Sequence, residues 1–365
     1  MQTEINLSEA VTFVPNKHLP IYNWFYYKEG YAKDLIVWLI EKYKIQGIVL
    51  DPFCGSGTTL LACKELGLDS LGYDVSPLAV LASKVKTRNY DLNELYTEWN
   101  ALKKEKIEFT GNISKERWLR RLFIRSELEK IIGFHERILK IKNEKIQDFF
   151  RLALISSVDQ CMLAEKRGGS LRLNKHKYVK PIQRVFEKKV QSMLNDLEKQ
   201  KIKFELEPRV FESDARTQKL EGEFIDAVIT SPPYLNKIEY TTVYKAELGL
   251  FFKGQETRLR AFVGEEKFKA ETESELPLVA QAYFKDMKKV LEQIFEGMKP
   301  KGKAFFVLAG GCFPSCTIEA DERLAEIGAE IGFKVLEIIE CRKIDCYRHS
   351  GEKATVRESI VLFEK

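Results

Sequence analysis

Histidine is scarce, at four in 365 residues, and the seven cysteines never fall into a CxxC pair; the nearest couples are Cys312/Cys316 and Cys341/Cys346. Zinc sites need such residues at short fixed spacings, so no metal is expected, and a disulfide framework is excluded more firmly still. Reduced thiols in a cytoplasmic protein are the expectation. No apolar run is long enough to span a bilayer. The first residues, Met1-Gln2-Thr3-Glu4-Ile5-Asn6, lack the basic and apolar regions of a signal peptide. Internal repeats and low-complexity segments are missing as well.

What is present is an uneven charge. The chain has 59 Lys/Arg against 54 Asp/Glu, a net charge of +5. Residues 92–206 hold 26 Lys/Arg and 16 Asp/Glu, a balance of +10, which leaves the remainder near −5. A basic module beside a mildly acidic one points to a polyanionic partner for the first, although solvated helix faces explain charge alone equally well.

Hydrophobic spacing divides the chain. Residues 31–44 carry Leu35, Trp38, Leu39 and Tyr43 at helical spacing, then a strand at 47–51, a helix at 58–66, a strand at 69–73 ending at Asp74, and a helix opening at Ser76-Pro77. From residue 90 the pattern turns helical and basic (92–106, 115–142, 145–164, 181–203) with no convincing strand, and a glycine-containing basic loop runs from Arg167 to Lys177. Strands near 208–211 and at 224–229, a helix at 278–298, a strand at 303–309, a helix at 317–331 and strands at 333–341 and 355–363 resume the α/β order. The expected fold is a doubly wound α/β sheet, residues 1–90 and 205–365, with an antiparallel C-terminal hairpin and a helical insertion at 91–204.

Two motifs end buried-strand patterns. The first is Asp51-Pro52-Phe53-Cys54-Gly55-Ser56-Gly57-Thr58-Thr59, and the second is Thr230-Ser231-Pro232-Pro233-Tyr234. Ligands of such sheets bind beyond the carboxyl ends of the strands, so both motifs should face one crevice. Gly55 and Gly57 permit a tight turn, with amides and a helix N-terminus facing a ligand. Asp74, 17 positions after Gly57, suits the hydroxyls of a ribose. No lysine follows the glycines as in a P-loop, and Leu60 stands where the dinucleotide fingerprint needs glycine. Asp51 is placed to meet an ammonium group. A cofactor with an amino-acid end and a nucleoside end fits better than a dinucleotide.

The first motif resembles the cofactor motif of the S-adenosylmethionine-dependent DNA amino-methyltransferases, whose sheet is Rossmann-like. Residues 24–31, with Tyr26, Tyr27 and Lys28, look like the family's upstream motif, which helps hold the methionine end. Asp214 in Ser213-Asp214-Ala215 is placed like the family residue that binds the adenine amino group. The resemblance thus implies that Tyr26, Tyr27, Lys28, Asp51, Pro52, Phe53, Cys54, Gly55, Ser56, Gly57, Thr58, Asp74, Val75, Ser76, Asp214 and Ala215 hold S-adenosylmethionine. Cys54 lacks the preceding proline of a cytosine-C5 nucleophile and reads as a buried filler.

The second motif suits a planar exocyclic amine. Its nitrogen lone pair is delocalised into the ring, so a site that methylates it must accept hydrogen bonds from the amino hydrogens. Pro232 and Pro233 stiffen the backbone and offer carbonyls, Ser231 adds an acceptor, and Tyr234 adds a face for an extruded base. In the resembling family serine at the first position is typical of cytosine-N4 enzymes, and aspartate or asparagine of adenine-N6 enzymes. The motif order is that of the alpha group, with target recognition between the two motifs. Lys166, Arg167, Arg172, Lys175 and Lys177 are the candidate phosphate contacts there. Trp99, Trp118, Phe149 and Phe150 read as insertion core, whereas Tyr240, Tyr244 and Phe251 fit either a base pocket or helix packing. The resemblance implies duplex DNA as partner, admits a companion restriction endonuclease, and says nothing of oligomeric state. Adenine-N6 methylation, RNA guanine-N2 methylation and a silent DNA-binding subunit are the competing readings.

Overall fold

The computed structural model describes residues 5–27, 30–104, 117–167, 170–200, 205–235, 240–252, 276–314, 316–347 and 352–365. Lys28 and the side chain of Arg167 lie outside the described residues. In chain order the elements are α1 (Leu7–Ala10), α2 (Lys33–Tyr43), β1 (Ile48–Asp51), α3 (Thr58–Glu65), β2 (Asp69–Asp74) and α4 (Pro77–Thr87). The insertion supplies α5 (Leu92–Lys104), α6 (Arg117–Arg121), α7 (Arg125–Ile138), α8 (Glu144–Val158), β3 (Ala164–Arg167), β4 (Ser170–Leu173) and α9 (Ile182–Lys199). Then come β5 (Arg209–Glu212), β6 (Ile225–Thr230), α10 (Tyr240–Val243), α11 (Lys245–Phe251), α12 (Leu278–Gly297) and β7 (Met298–Ala309). The chain finishes with β8 (Gly311–Cys312), β9 (Thr317–Ile318), α13 (Ala320–Ile331), β10 (Lys334–Tyr347) and β11 (Lys353–Glu364).

The main sheet runs β10-β11-β7-β6-β1-β2-β5, parallel from β7 through β5 and antiparallel at β7-β11-β10. From β1 the chain steps outward to β2 and β5, then returns to β6 on the other side. That reversal between β1 and β6 opens the crevice in which α/β sheets bind ligands. Successive side chains go to opposite faces. Val49, Ala227, Ile229, Phe305 and Val307 meet α2, while Leu50, Val228, Ala304, Phe306 and Leu308 meet α12 and α13. Burial on both faces is why these strands read as continuous apolar runs.

The insertion departs from the sequence expectation in two ways. The described residues 117–142 hold two helices, and β3 and β4 pair as an antiparallel hairpin where a basic loop was expected. Periodicity missed the hairpin because each strand has four residues and is only half-buried. Among the described residues the insertion also shares its core with its surroundings. Leu95, Trp99, Phe149, Phe150 and Phe186 pack in one cluster with Trp24 and Phe25 upstream, Leu78 and Val85 of α4, and Tyr244 and Phe251.

Candidate active site

Strand register brings the sequence motifs together. Asp51 and Thr230 end the neighbouring strands β1 and β6, and the Thr230 hydroxyl donates to Asp51 Oδ1 at 2.7 Å. Tyr31 donates to Asp51 Oδ2 at 3.2 Å and its hydroxyl also meets Thr59 Oγ1, while the Phe53 amide donates to Asp51 Oδ1 at 3.2 Å. Asp51 is buried, and burial pushes its carboxyl above the ordinary value despite these donors. Its carboxylate therefore ties the two motif loops together, where the sequence placed it against an ammonium group.

Gly55 and Gly57 have φ of 50° and 79°, in the region that favours glycine. A Cβ on Gly57 would lie 2.9 Å from Ser83 Oγ, and one on Gly55 would lie 3.5 Å from the Tyr27 ring. The turn is closed by Gly57 N donating to Cys54 O at 2.7 Å and by Ser83 Oγ donating to Gly55 O at 2.9 Å. Cys54, Pro52, Ser56 and Thr58 face inward, and burial pushes the Cys54 thiol well up, as suits a packing residue. Phe53, Gly55, Asp74, Val75 and Ser76 remain partly open along the crevice.

Asp74 ends β2 and bridges both loops, accepting from Gly55 N at 3.1 Å and Ser76 N at 2.8 Å. Burial pushes its carboxyl up to about 6. Asp214 follows the neighbouring strand β5, and the Ser213 amide donates to the Asp74 carbonyl. Although burial pushes Asp214 upward, hydrogen bonds from Arg216 hold it below the usual range, and Arg216 also reaches Asp286 at 3.1 Å. Ala215 is buried in the same turn.

Among the described upstream aromatics, Tyr27 lies against Gly55. Tyr26 is exposed, packs edge-on against Phe13 and lies under Lys17. Tyr27 stacks on Tyr244 with centroids 5.1 Å apart, and Lys166 sits 4.5 Å above the Tyr244 ring while pairing with buried Glu247. Tyr244, Lys166 and Glu247 thus join the cofactor loop to the hairpin. The sequence left Tyr244 ambiguous because aromatics at helical spacing also serve packing. Lys177 donates to the carbonyls of Asp159 and Ala164, so it too is held inward, whereas Arg172 and Lys175 are exposed.

Ser231 and Pro233 are partly open, and Pro232 is buried. Tyr234 is buried, with its hydroxyl on Glu358 of β11, and Arg342 of β10 pairs with the same carboxylate. The edge hairpin therefore buttresses the second motif, a link that sequence spacing could not reveal.

A family model described as DNA methylase matches residues 26–85, from Tyr27's neighbour through both cofactor loops. The type II methyltransferase M.BsoBI of Geobacillus stearothermophilus is 25% identical over 459 residues, covering 100% of this chain and 89% of that one. The type II methyltransferase M.AvaI of Nostoc sp. is 25% identical over 404 residues, covering 91% and 83%. The chain is thus similar along its length to type II methyltransferases, and over residues 26–85 to the DNA methylase family. A shorter match, 31% over 107 residues, joins this methyltransferase to M.MjaII of Methanocaldococcus jannaschii, covering 29% of this chain and 19% of that one.

The site fits the family's cofactor. Residues 51–59 contain no cation to hold a polyphosphate, the glycine turn leaves no room for a Cβ at Gly57, and Asp74 presents a partly open carboxylate beside that turn. S-adenosylmethionine is accordingly the methyl donor of this DNA methyltransferase. Among the described residues no cluster of metal-ligating side chains occurs, and no helix is long and apolar enough to cross a membrane.

Proposed function

We propose that this methyltransferase modifies the exocyclic N4 of a cytosine extruded from duplex DNA, at a specific sequence met by the insertion. The observation that carries the reading is Ser231 opening the second motif at the end of β6, hydrogen-bonded through Thr230 to the cofactor loop of β1. When bound, S-adenosylmethionine supplies an electrophilic methyl group on a sulfonium. The protein's part is positional and electrostatic. Ser231 and the Pro232 carbonyl accept the amino hydrogens, which concentrates the nitrogen lone pair out of the ring plane. Tyr234, anchored by its hydroxyl, gives the extruded base a fixed aromatic surface. Asp74 holds the ribose hydroxyls, Tyr27 covers Gly55 near the methionine end, and Asp214 and Ala215 border the adenine.

The test is nucleoside analysis of duplex DNA after incubation with the enzyme and labelled S-adenosylmethionine. N4-methylcytosine is the expected product, and N6-methyladenine alone would replace cytosine by adenine. Ser231→Ala and Tyr234→Phe are expected to lower turnover by about tenfold or more while leaving cofactor affinity within about twofold. Full turnover in either variant would remove that residue from its role.

A further inference from the structure

A second basic surface lies away from the hairpin. Helices α8 and α9 and the segment before α9 enclose a cleft of about 420 Å3, with Ser156, Ser157 and Gln160 on one wall and Lys180, Arg184 and Lys188 on the other. No aspartate or glutamate lines it. Arg184 and Lys188 lie one turn apart on α9, and Lys180 precedes them in the segment that leads into the helix. All three are exposed, and Arg184 and Lys188 make no ion pair among the described residues. Lys180 donates to the Gln160 side chain at 2.8 Å. Tyr178 at the cleft mouth is 81% exposed.

We infer that the α8–α9 cleft binds the phosphodiester backbone of the DNA substrate. The inference rests on the reading of the chain as a DNA methyltransferase. Three exposed cations with no carboxylate among them repel only weakly in water, and together they present a local positive surface that suits a polyanion. The exposed side-chain amide of Gln160, beside Lys180, adds a neutral group of the kind that contacts phosphate oxygens. The hairpin is less well equipped, because Lys166 is committed to Glu247 and Lys177 to two carbonyls. The cleft is tied to the segment that leads to Tyr27. Lys189 and Ser156, both lining it, donate to the carbonyls of Asn23 and Trp24, three to four residues before Tyr27.

The experiment compares the full-length enzyme with the triple variant Lys180→Gln/Arg184→Gln/Lys188→Gln and the pair Arg172→Gln/Lys175→Gln. Fluorescence anisotropy measures affinity for a labelled duplex across a salt series, and calorimetry measures affinity for S-adenosylmethionine. The triple variant should bind the duplex at least about tenfold more weakly at low salt, with its log–log salt slope reduced by roughly 2–3. Its cofactor affinity should match wild type. A slope superimposable on wild type, or a loss confined to the Arg172/Lys175 pair, would overturn the cleft while leaving the methyltransferase reading intact. A wild-type enzyme that binds cofactor but neither binds nor methylates duplex DNA would overturn both.

Discussion

Asp74 does two jobs that conflict electrostatically. It organises the turn by accepting from Gly55 and Ser76, and it presents a carboxylate to the crevice, where burial raises its value to about 6. Because the folded value lies above the ordinary 3.8, ionised Asp74 costs the fold stability at neutral pH, and that cost is relieved as pH falls from about 6 toward 3.8. In the proposed role of Asp74 on the ribose, ligand binding has the opposite sign, since hydroxyl donors favour the carboxylate. Affinity for S-adenosylmethionine should therefore fall below about pH 6, approaching about tenfold per unit. Calorimetry from pH 5 to 8 checks this against Asp74→Asn, whose profile should lack the acid limb. Identical limbs in the two proteins would mean that another group titrates. Asp51 is the contrasting case: more deeply buried, it is satisfied by Thr230, Tyr31 and Phe53 and serves to hold loops.

At the scale of elements, the segment before Tyr27 is held by the insertion. Asp196 of α9 accepts from the Ile21 amide at 3.2 Å and the Trp24 indole at 2.9 Å, and Lys86 of α4 donates to the Phe25 carbonyl at 3.1 Å. Ile21 has a φ of 66°, an unfavourable backbone state for a β-branched residue, which persists only where neighbours enforce it. Removing Asp196 leaves two donors without acceptors, at about 1–3 kcal/mol each. Asp196→Ala should lower stability by that order and weaken cofactor binding, because Tyr27 loses its registration over Gly55. Thermal melts and cofactor titration measure the two effects. Unchanged cofactor affinity in the folded variant would show that the segment's anchoring is not transmitted to the loop.

On the scale of the whole molecule, the shared cluster joins the insertion to α3 and α4, helices that flank the main sheet. Trp24 and Trp99 both belong to that cluster, beside Leu78 of α4. Denaturant unfolding followed by tryptophan fluorescence and by circular dichroism should therefore give coincident transitions. Two separated transitions would mean that the insertion folds independently. An exchange of insertions between relatives should also carry residues 21–25 and 243–252 with it, since those residues complete the cluster.

The sequence alone determined the sheet, its antiparallel edge and the two motif loops. Those features are local: apolar runs mark strands buried on both faces, glycines mark turns with positive φ, and Ser76-Pro77 marks a helix start. Cys54 as packing and Trp99, Phe149 and Phe150 as core were legible for the same reason. Tertiary structure decided everything that depends on distant residues meeting. It put Glu358 and Arg342 behind Tyr234, placed Tyr244 on Tyr27, and turned Tyr26 outward. It also spent Lys166 and Lys177 inside the fold while leaving Lys180, Arg184 and Lys188 on a carboxylate-free cleft. A charge in sequence says only that a cation exists, and whether it is free for a partner depends on which carboxylates and carbonyls the fold brings beside it.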